Sequence, residues 1–158
     1  MLHSPEYTII QTKDRTHIES CARMMSATDP WLRYGMDYEQ CLKSFEGDFR
    51  EIYILQIRES VIAFAVLQML GTFKGYIQTL CVDEKFRGQG HGTKLLQFCE
   101  ERILKVSRNI FICVSEFNHG AIKIYEGFGF ELVGSLHDFL KQGFSELLYR
   151  KTVGPIIG

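Results

Sequence analysis

Three glycines alternate in Arg87-Gly88-Gln89-Gly90-His91-Gly92, between a β-rich run and an amphipathic helical pattern. Glycine lets the backbone enter φ > 0 and lets a ligand lie against the bare chain. Amides at such a junction point outward, and a helix N-terminus adds about +0.5 of a charge. That arrangement suits an anion, and a pyrophosphate in particular, held on the amides of Gly88, Gln89, Gly90, His91, Gly92 and Thr93. Arg87 either adds a cation or braces the turn. A tight structural turn accounts equally well for a lone glycine cluster. Two nucleotide motifs are disfavoured. A P-loop ends in Gly-Lys-Ser/Thr, whereas Gly92-Thr93-Lys94 has another order. A dinucleotide fingerprint spaces its glycines G-x-G-x-x-G and follows an early strand, which this loop does not.

The chain around this loop has 158 residues, 46% apolar and 23% charged, with a formal net charge of −1. One domain from 1 to 158 is expected, with a core built without disulfides or metals. The near-zero charge offers no global attraction to nucleic acid or to an anionic membrane. The opening ten residues carry Pro5 and Glu6 and no apolar run, so no leader is expected. The longest apolar stretch, residues 61–67, is far short of the ~20 a membrane span needs. Cys21, Cys41, Cys81, Cys99 and Cys113 are odd in number and lack metal-ligand spacing, so free thiols in a cytoplasmic setting and no metal are expected.

The elements that must position the loop follow from periodicity. Residues 7–12 read as a strand. Thr16-His-Ile-Glu19 matches a capping box opening a helix over Ile18, Cys21, Ala22 and Met25, which ends before Asp29-Pro30. Asp37 caps a second helix over Tyr38, Cys41, Leu42 and Phe45, stopped at Gly47. Runs 52–57 and 61–70 flank Arg58-Glu59-Ser60 as a hairpin, and 76–82 closes a three-strand antiparallel meander. Leu95, Leu96, Cys99, Ile103 and Val106 mark one face of a helix over 92–106, with Glu101 and Lys105 spaced as an ion pair. Residues 109–114 read as a strand buried on both faces. A helix over 119–125 follows, then strands 130–140 and 144–152 joined at Lys141-Gln142-Gly143. The class is mixed α/β, or α+β.

Two segments together resemble the GNAT superfamily of acetyl-CoA-dependent N-acetyltransferases. Arg87-x-x-Gly90-x-Gly92, preceded by Thr79-Leu-Cys-Val82, is similar to that family's coenzyme A pyrophosphate loop. Asn118-His-Gly-Ala121-Ile-Lys-Ile-Tyr125-Glu-Gly-Phe-Gly129-Phe130 resembles its Asn…Ala…Tyr…Gly-Phe segment. The resemblance covers nearly the whole chain. It implies a GNAT-like fold with a central mixed sheet of six to seven strands, about four helices, and two splayed central parallel strands. It places the backbone of Leu80, Cys81 and Val82 along the pantetheine arm, as in edge-strand recognition. Arg87 and residues 88–93 take the pyrophosphate, and Asn118 helps anchor the coenzyme.

Acetyl transfer to an amine needs a neutral nucleophile, donors for the oxyanion, and a proton for the leaving thiolate. The resemblance assigns Tyr125 as the general acid; read alone, it is a buried tyrosine on a short helix. An amide of the 80–82 strand is the expected oxyanion donor. Some relatives that acetylate protein N-termini carry a Glu on the strand before the tyrosine helix, where this chain has Cys113. Glu116, His119, His137 and Asp138 stand near in sequence, and none is singled out as the base. An acetyl-cysteine route through Cys81 or Cys113 lacks an activating base, so both read as core thiols. Trp31, Tyr34 and Met36 on one side, and Phe139 and Leu140 on the other, are expected to wall the acceptor. The segment from His137 to Gly143 resembles the hairpin of protein N-terminus acetylases, but has Phe139 where tyrosine is common.

The expected activity is transfer of acetyl from acetyl-CoA to a primary amine of a small molecule or protein, by direct attack in a ternary complex. The alternatives are another acyl-CoA donor, or a coenzyme A-binding regulatory module without turnover. A homodimer is compatible with this reading.

Overall fold

The computed structural model describes residues 6–158; Pro5 and the residues before it lie outside them. Its strands are β1 (Thr8–Gln11), β2 (Arg50–Ile57), β3 (Ser60–Gln68), β4 (Tyr76–Val82), β5 (Asn109–Ser115), β6 (Glu131–His137) and β7 (Ser145–Thr152). The helices are α1 (Arg15–Ser26), α2 (Tyr38–Lys43), α3 (His91–Leu104) and α4 (His119–Gly127). The strands form one sheet in the order β1-β2-β3-β4-β5-β7-β6. All neighbours pair antiparallel except β4 and β5, which are parallel. The expected mixed sheet forms: against an expectation of six to seven strands and about four helices, the described residues build seven strands and four α-helices.

Alternation along the strands divides the core between the two faces. Ile52, Ile54, Phe64, Val66 and Cys81 pack with Cys21, Ala22 and Met25 of α1 and with α2. Tyr53, Leu55, Ala63, Ala65 and Leu67 point the other way, toward Leu95, Leu96, Cys99 and Ile103 of α3. β3 reads as a continuous apolar run because both of its faces are covered. Phe64 is fully buried against Phe45, with ring centroids 5.3 Å apart. Phe64→Ala is therefore expected to cost about 3–5 kcal/mol. Urea denaturation tests this; a loss under about 1 kcal/mol would mean that this face collapses around the gap.

Several boundaries differ from the sequence expectation, each for a local reason. Asp14, not Thr16, caps α1: its carboxylate accepts from the Thr16 amide at 2.8 Å. A carboxylate also complements the helix N-terminus, which a hydroxyl does not. Helix α3 stops at Leu104 with Lys105 as its C-cap, so Val106 is exposed. Glu101 and Lys105 accordingly form no ion pair; α3 is tied instead by Arg102 to Glu51 at 2.7 Å and by Glu100 to Lys151 at 2.6 Å. Strand β6 ends at His137 because Asp138 takes φ +55° and accepts from the Gly143 amide. The connection to β7 is thus longer than the three residues expected. In the β2–β3 hairpin, Arg58 and Glu59 both have positive φ, the requirement of a two-residue turn that follows the strand twist.

Candidate active site

The site begins with a bulge. Val66 faces Thr79 and Leu67 faces Ile77, so Gln78 is an extra residue on β4. A bulge bends its strand. The parallel pairing of β4 with β5 covers only Tyr76↔Phe111 and Ile77↔Ile112 and stops there. The Gln78 side chain pins the bend. Its Oε1 accepts from Arg50 Nε and Gln68 Nε2, both at 2.8 Å, and its Nε2 donates to the Ser44 carbonyl at 3.0 Å. Beyond Ile77, β4 presents an unpaired edge toward β5, as the splayed-strand expectation requires.

Past that edge the chain turns into α3. Asp83 caps a short 3-10 turn, Glu84–Phe86, by accepting from the Lys85 amide at 3.0 Å. Arg87 Nε donates back to the Val82 carbonyl at 3.3 Å, so its guanidinium braces the turn. Gly88 and Gly90 take φ +75° and +85°. Gly90 is the N-cap of α3 and offers no side-chain acceptor, which leaves the first helical amides free to bind an anion. Gly92 answers a different need: a Cβ there would stand 3.3 Å from Val82 Cγ2.

A cleft of about 850 Å³ runs along this edge and loop. Leu80, Cys81, Val82, Arg87, Gly88, Gly90, His91, Gly92, Thr93, Asn118 and Tyr125 all border it, whereas Gln89 does not. Asn118 caps α4, its Oδ1 accepting from the Ala121 amide at 3.2 Å, so the side-chain NH₂ is the part left for a ligand. The Tyr125 ring is buried and packs edge-on to Phe130, and burial pushes its phenol well above the usual tyrosine value. Burial likewise pushes the Cys81 thiol up to about 12. It is therefore a thiol at neutral pH, without the thiolate a covalent route needs.

His91 sits beneath the loop near Phe86, 7% exposed, with both ring nitrogens unpartnered. Burial, and then the charge of Lys94, hold it below the usual imidazole value. The unfolded chain binds that proton more readily, so the stability it contributes is full above about pH 6.5 and falls on acidification. His91→Leu is expected to reduce the drop in Tm between about pH 7 and pH 5. Equal drops in both proteins would show that other groups set the acid sensitivity.

A second, smaller cavity of about 70 Å³ lies between the splayed strands. Tyr125, Asn118, Leu80 and Trp31 border both cavities. Trp31 is half-buried, as suits a wall residue. Tyr34 is buried, its hydroxyl 2.6 Å from both Ser115 Oγ and Glu146 Oε2. Leu140 borders the small cavity, while Phe139 is exposed and borders neither. Glu116, His137 and Asp138 are exposed and stand outside both; exposed His119 borders the long cleft. Ser115 and Glu146 are not singled out by any local pattern. Glu146 lies in a strand whose alternation suggests a solvated position, and only the register Ser115↔Glu146 with β5 carries it inward. Among the described residues no three His, Cys, Asp or Glu side chains are grouped to hold a metal. Nor is any helix there long and apolar enough to cross a membrane.

An unpaired strand edge leading to free helix amides can hold an extended ligand with an anionic end. Known proteins share this fold. The ribosomal-protein-S18-alanine N-acetyltransferase from Escherichia coli superposes with a TM-score of 0.77 at 16% identity, over 95% of this chain and 96% of that one. An N-acetyltransferase from Staphylococcus aureus Mu50 gives 0.74 at 18%, over 94% and 99%. An aminoglycoside 6'-N-acetyltransferase complexed with coenzyme A gives 0.74 at 14%, over 94% and 98%. At such identities the likeness is one of fold. No curated protein matches the chain significantly. Residues 12–130 match the model of the Acetyltransferase (GNAT) family. By this match, which spans most of its length, the chain belongs to the GNAT family of acetyltransferases.

Proposed function

We propose that the protein transfers an acetyl group from acetyl-CoA to a primary amine, by direct attack while both substrates are bound. The observation that carries this reading is the position of Tyr125, whose side chain borders both the long cleft and the small cavity between the splayed strands. A volume of about 850 Å³ falls within the range of sites that enclose cofactor-sized ligands. Acetyl-CoA, when bound, supplies the activated acyl carbon and a thiolate leaving group.

The chain's own residues do the rest. The α3 N-terminal amides take the pyrophosphate. The unpaired β4 edge at Leu80, Cys81 and Val82 aligns the arm and offers an amide to the oxyanion. The Asn118 NH₂ adds an anchor. Tyr125 gives its phenolic proton to the departing sulfur. Five free thiols, four of them buried, support a reducing, cytoplasmic setting.

Incubation with acetyl-CoA and a panel of primary amines, following thiol release, tests the reading. Amine-dependent release is the expected result. Tight binding of coenzyme A without release would mark a regulatory module, and faster release from a longer acyl-CoA would mark another donor.

A further inference from the structure

We propose that the Glu146 carboxylate receives the acceptor's ammonium group and takes its proton, in the lining of a small pocket whose size suits an unbranched aminoalkyl stem. The inference rests on the reading of the protein as an amine acetyltransferase. Among the described residues Glu146 is the one buried carboxylate, 4% exposed. It takes part in none of the ion pairs formed there. A buried carboxylate without a cation is unfavourable unless it is hydrogen-bonded or awaits a partner.

Its hydrogen bonding leaves it an acceptor. The Tyr34 hydroxyl donates to Oε2 at 2.6 Å. A phenol has one proton to give, so the Ser115 hydroxyl, 2.6 Å away, donates to Tyr34. The chain of donors runs from Ser115 through Tyr34 and ends on the carboxylate, which it orients. The Lys141 ammonium, which approaches the same loop, is bound to the Tyr34 carbonyl at 2.7 Å. The other titratable groups facing Glu146 are Tyr34, Cys113 of β5 and Tyr76 of β4. Burial pushes all three up, so each is neutral at pH 7 and none is a base.

Glu146 borders the cavity of about 70 Å³, together with Tyr125. An amine in this cavity and an acyl group in the long cleft therefore meet at Tyr125. The volume is about half the ~150 Å³ that admits a benzene ring. A volume of that size favours a straight methylene stem over a ring or a branched carbon.

The step balances. Glu146 takes one proton from the ammonium. The neutral nitrogen forms the C–N bond to the acyl carbon as the C–S bond breaks. Sulfur takes the Tyr125 proton, and the second nitrogen proton returns to the Tyr125 oxygen. Glu146 then loses its proton to solvent.

Kinetics with acetyl-CoA and three acceptors tests the proposal: an n-alkylamine, the lysine of an Nα-blocked peptide, and the α-amine of a peptide with blocked lysines. The first two are expected to react, the third about tenfold or more slower, the usual penalty of a misfitting carbon. A preference for the α-amine overturns the proposal. Glu146→Gln is expected to lower kcat/KM at pH 7 by about 10² or more with coenzyme A affinity unchanged. Its rate should climb about tenfold per pH unit toward the amine's own value near 10.4, more steeply than wild type. An unchanged rate and pH profile overturns it. Tyr34→Phe keeps the carboxylate but not its orientation, and is expected to raise KM for the amine more than it lowers kcat; no change in either also counts against the role. A wild-type protein that binds coenzyme A but turns over none of the three overturns the acetyltransferase reading itself, and this proposal with it.

Discussion

Tyr125→Phe is expected to lower kcat by about 10²–10⁴-fold with little change in coenzyme A affinity. The phenol is protonated at every working pH, because its ordinary value near 10 is pushed higher by burial. Before the transfer it is thus an acid and not a base. A raised value would weaken it as a donor if the sulfur it serves stayed in water. The same low-dielectric surroundings act on sulfur, however. Burial has this effect on the Cys81 thiol, which it pushes up to about 12, and a coenzyme sulfur held out of water is expected to shift the same way. Donor and acceptor rise together, and the transfer remains close to balanced. Phenylalanine keeps the ring that packs on Phe130 and deletes only the hydroxyl. The measurement is kcat from thiol release, beside a calorimetric coenzyme affinity and a circular-dichroism check of the fold. Full activity in the folded variant would mean that water or another residue supplies the proton.

The loop variant Gly90→Val should weaken coenzyme A binding by about 10²–10³-fold. Gly90 has φ +85°, a conformation that β-branched residues avoid, and the strain costs about 1–3 kcal/mol. A Cβ at Gly90 meets no protein atom within 4 Å. The valine therefore clashes with nothing in the chain, yet it projects from the face that offers its amides to an anion. Loss of two charge-assisted bonds, each about 1.5–3 kcal/mol, accounts for the size of the effect. Gly134→Val is the control. That glycine lies on β6, has no positive φ and also meets nothing within 4 Å. Calorimetry should find its affinity unchanged. Equal affinities for wild type and Gly90→Val would place the pyrophosphate elsewhere.

Features set by a few consecutive residues are legible in the amino-acid sequence by itself. The glycine loop is one, because a positive φ and a free helix N-terminus are local properties of the chain. The burial of β5 is another, since an unbroken apolar run has no wet side. The position of Tyr125 on the helix after β5 follows from the resemblance of a short segment. Even so, local rules misjudge ends: Asp14 displaces Thr16 as a cap, and Lys105 falls outside α3. Caps compete within two residues, and periodicity does not decide between them.

Tertiary structure alone decided the surroundings of Glu146. Tyr34 meets Ser115 across 81 residues and Glu146 across 112. No spacing rule reaches that far, because the contact depends on the register of β5 against β7 and on the path of the α1–α2 loop. One residue's slip in that register would turn Glu146 to the opposite face of the sheet. The bulge at Gln78 belongs to the same class. In sequence Gln78 is one polar residue in a strand; against β3 it becomes the extra residue at which β4 leaves β5 and the site opens.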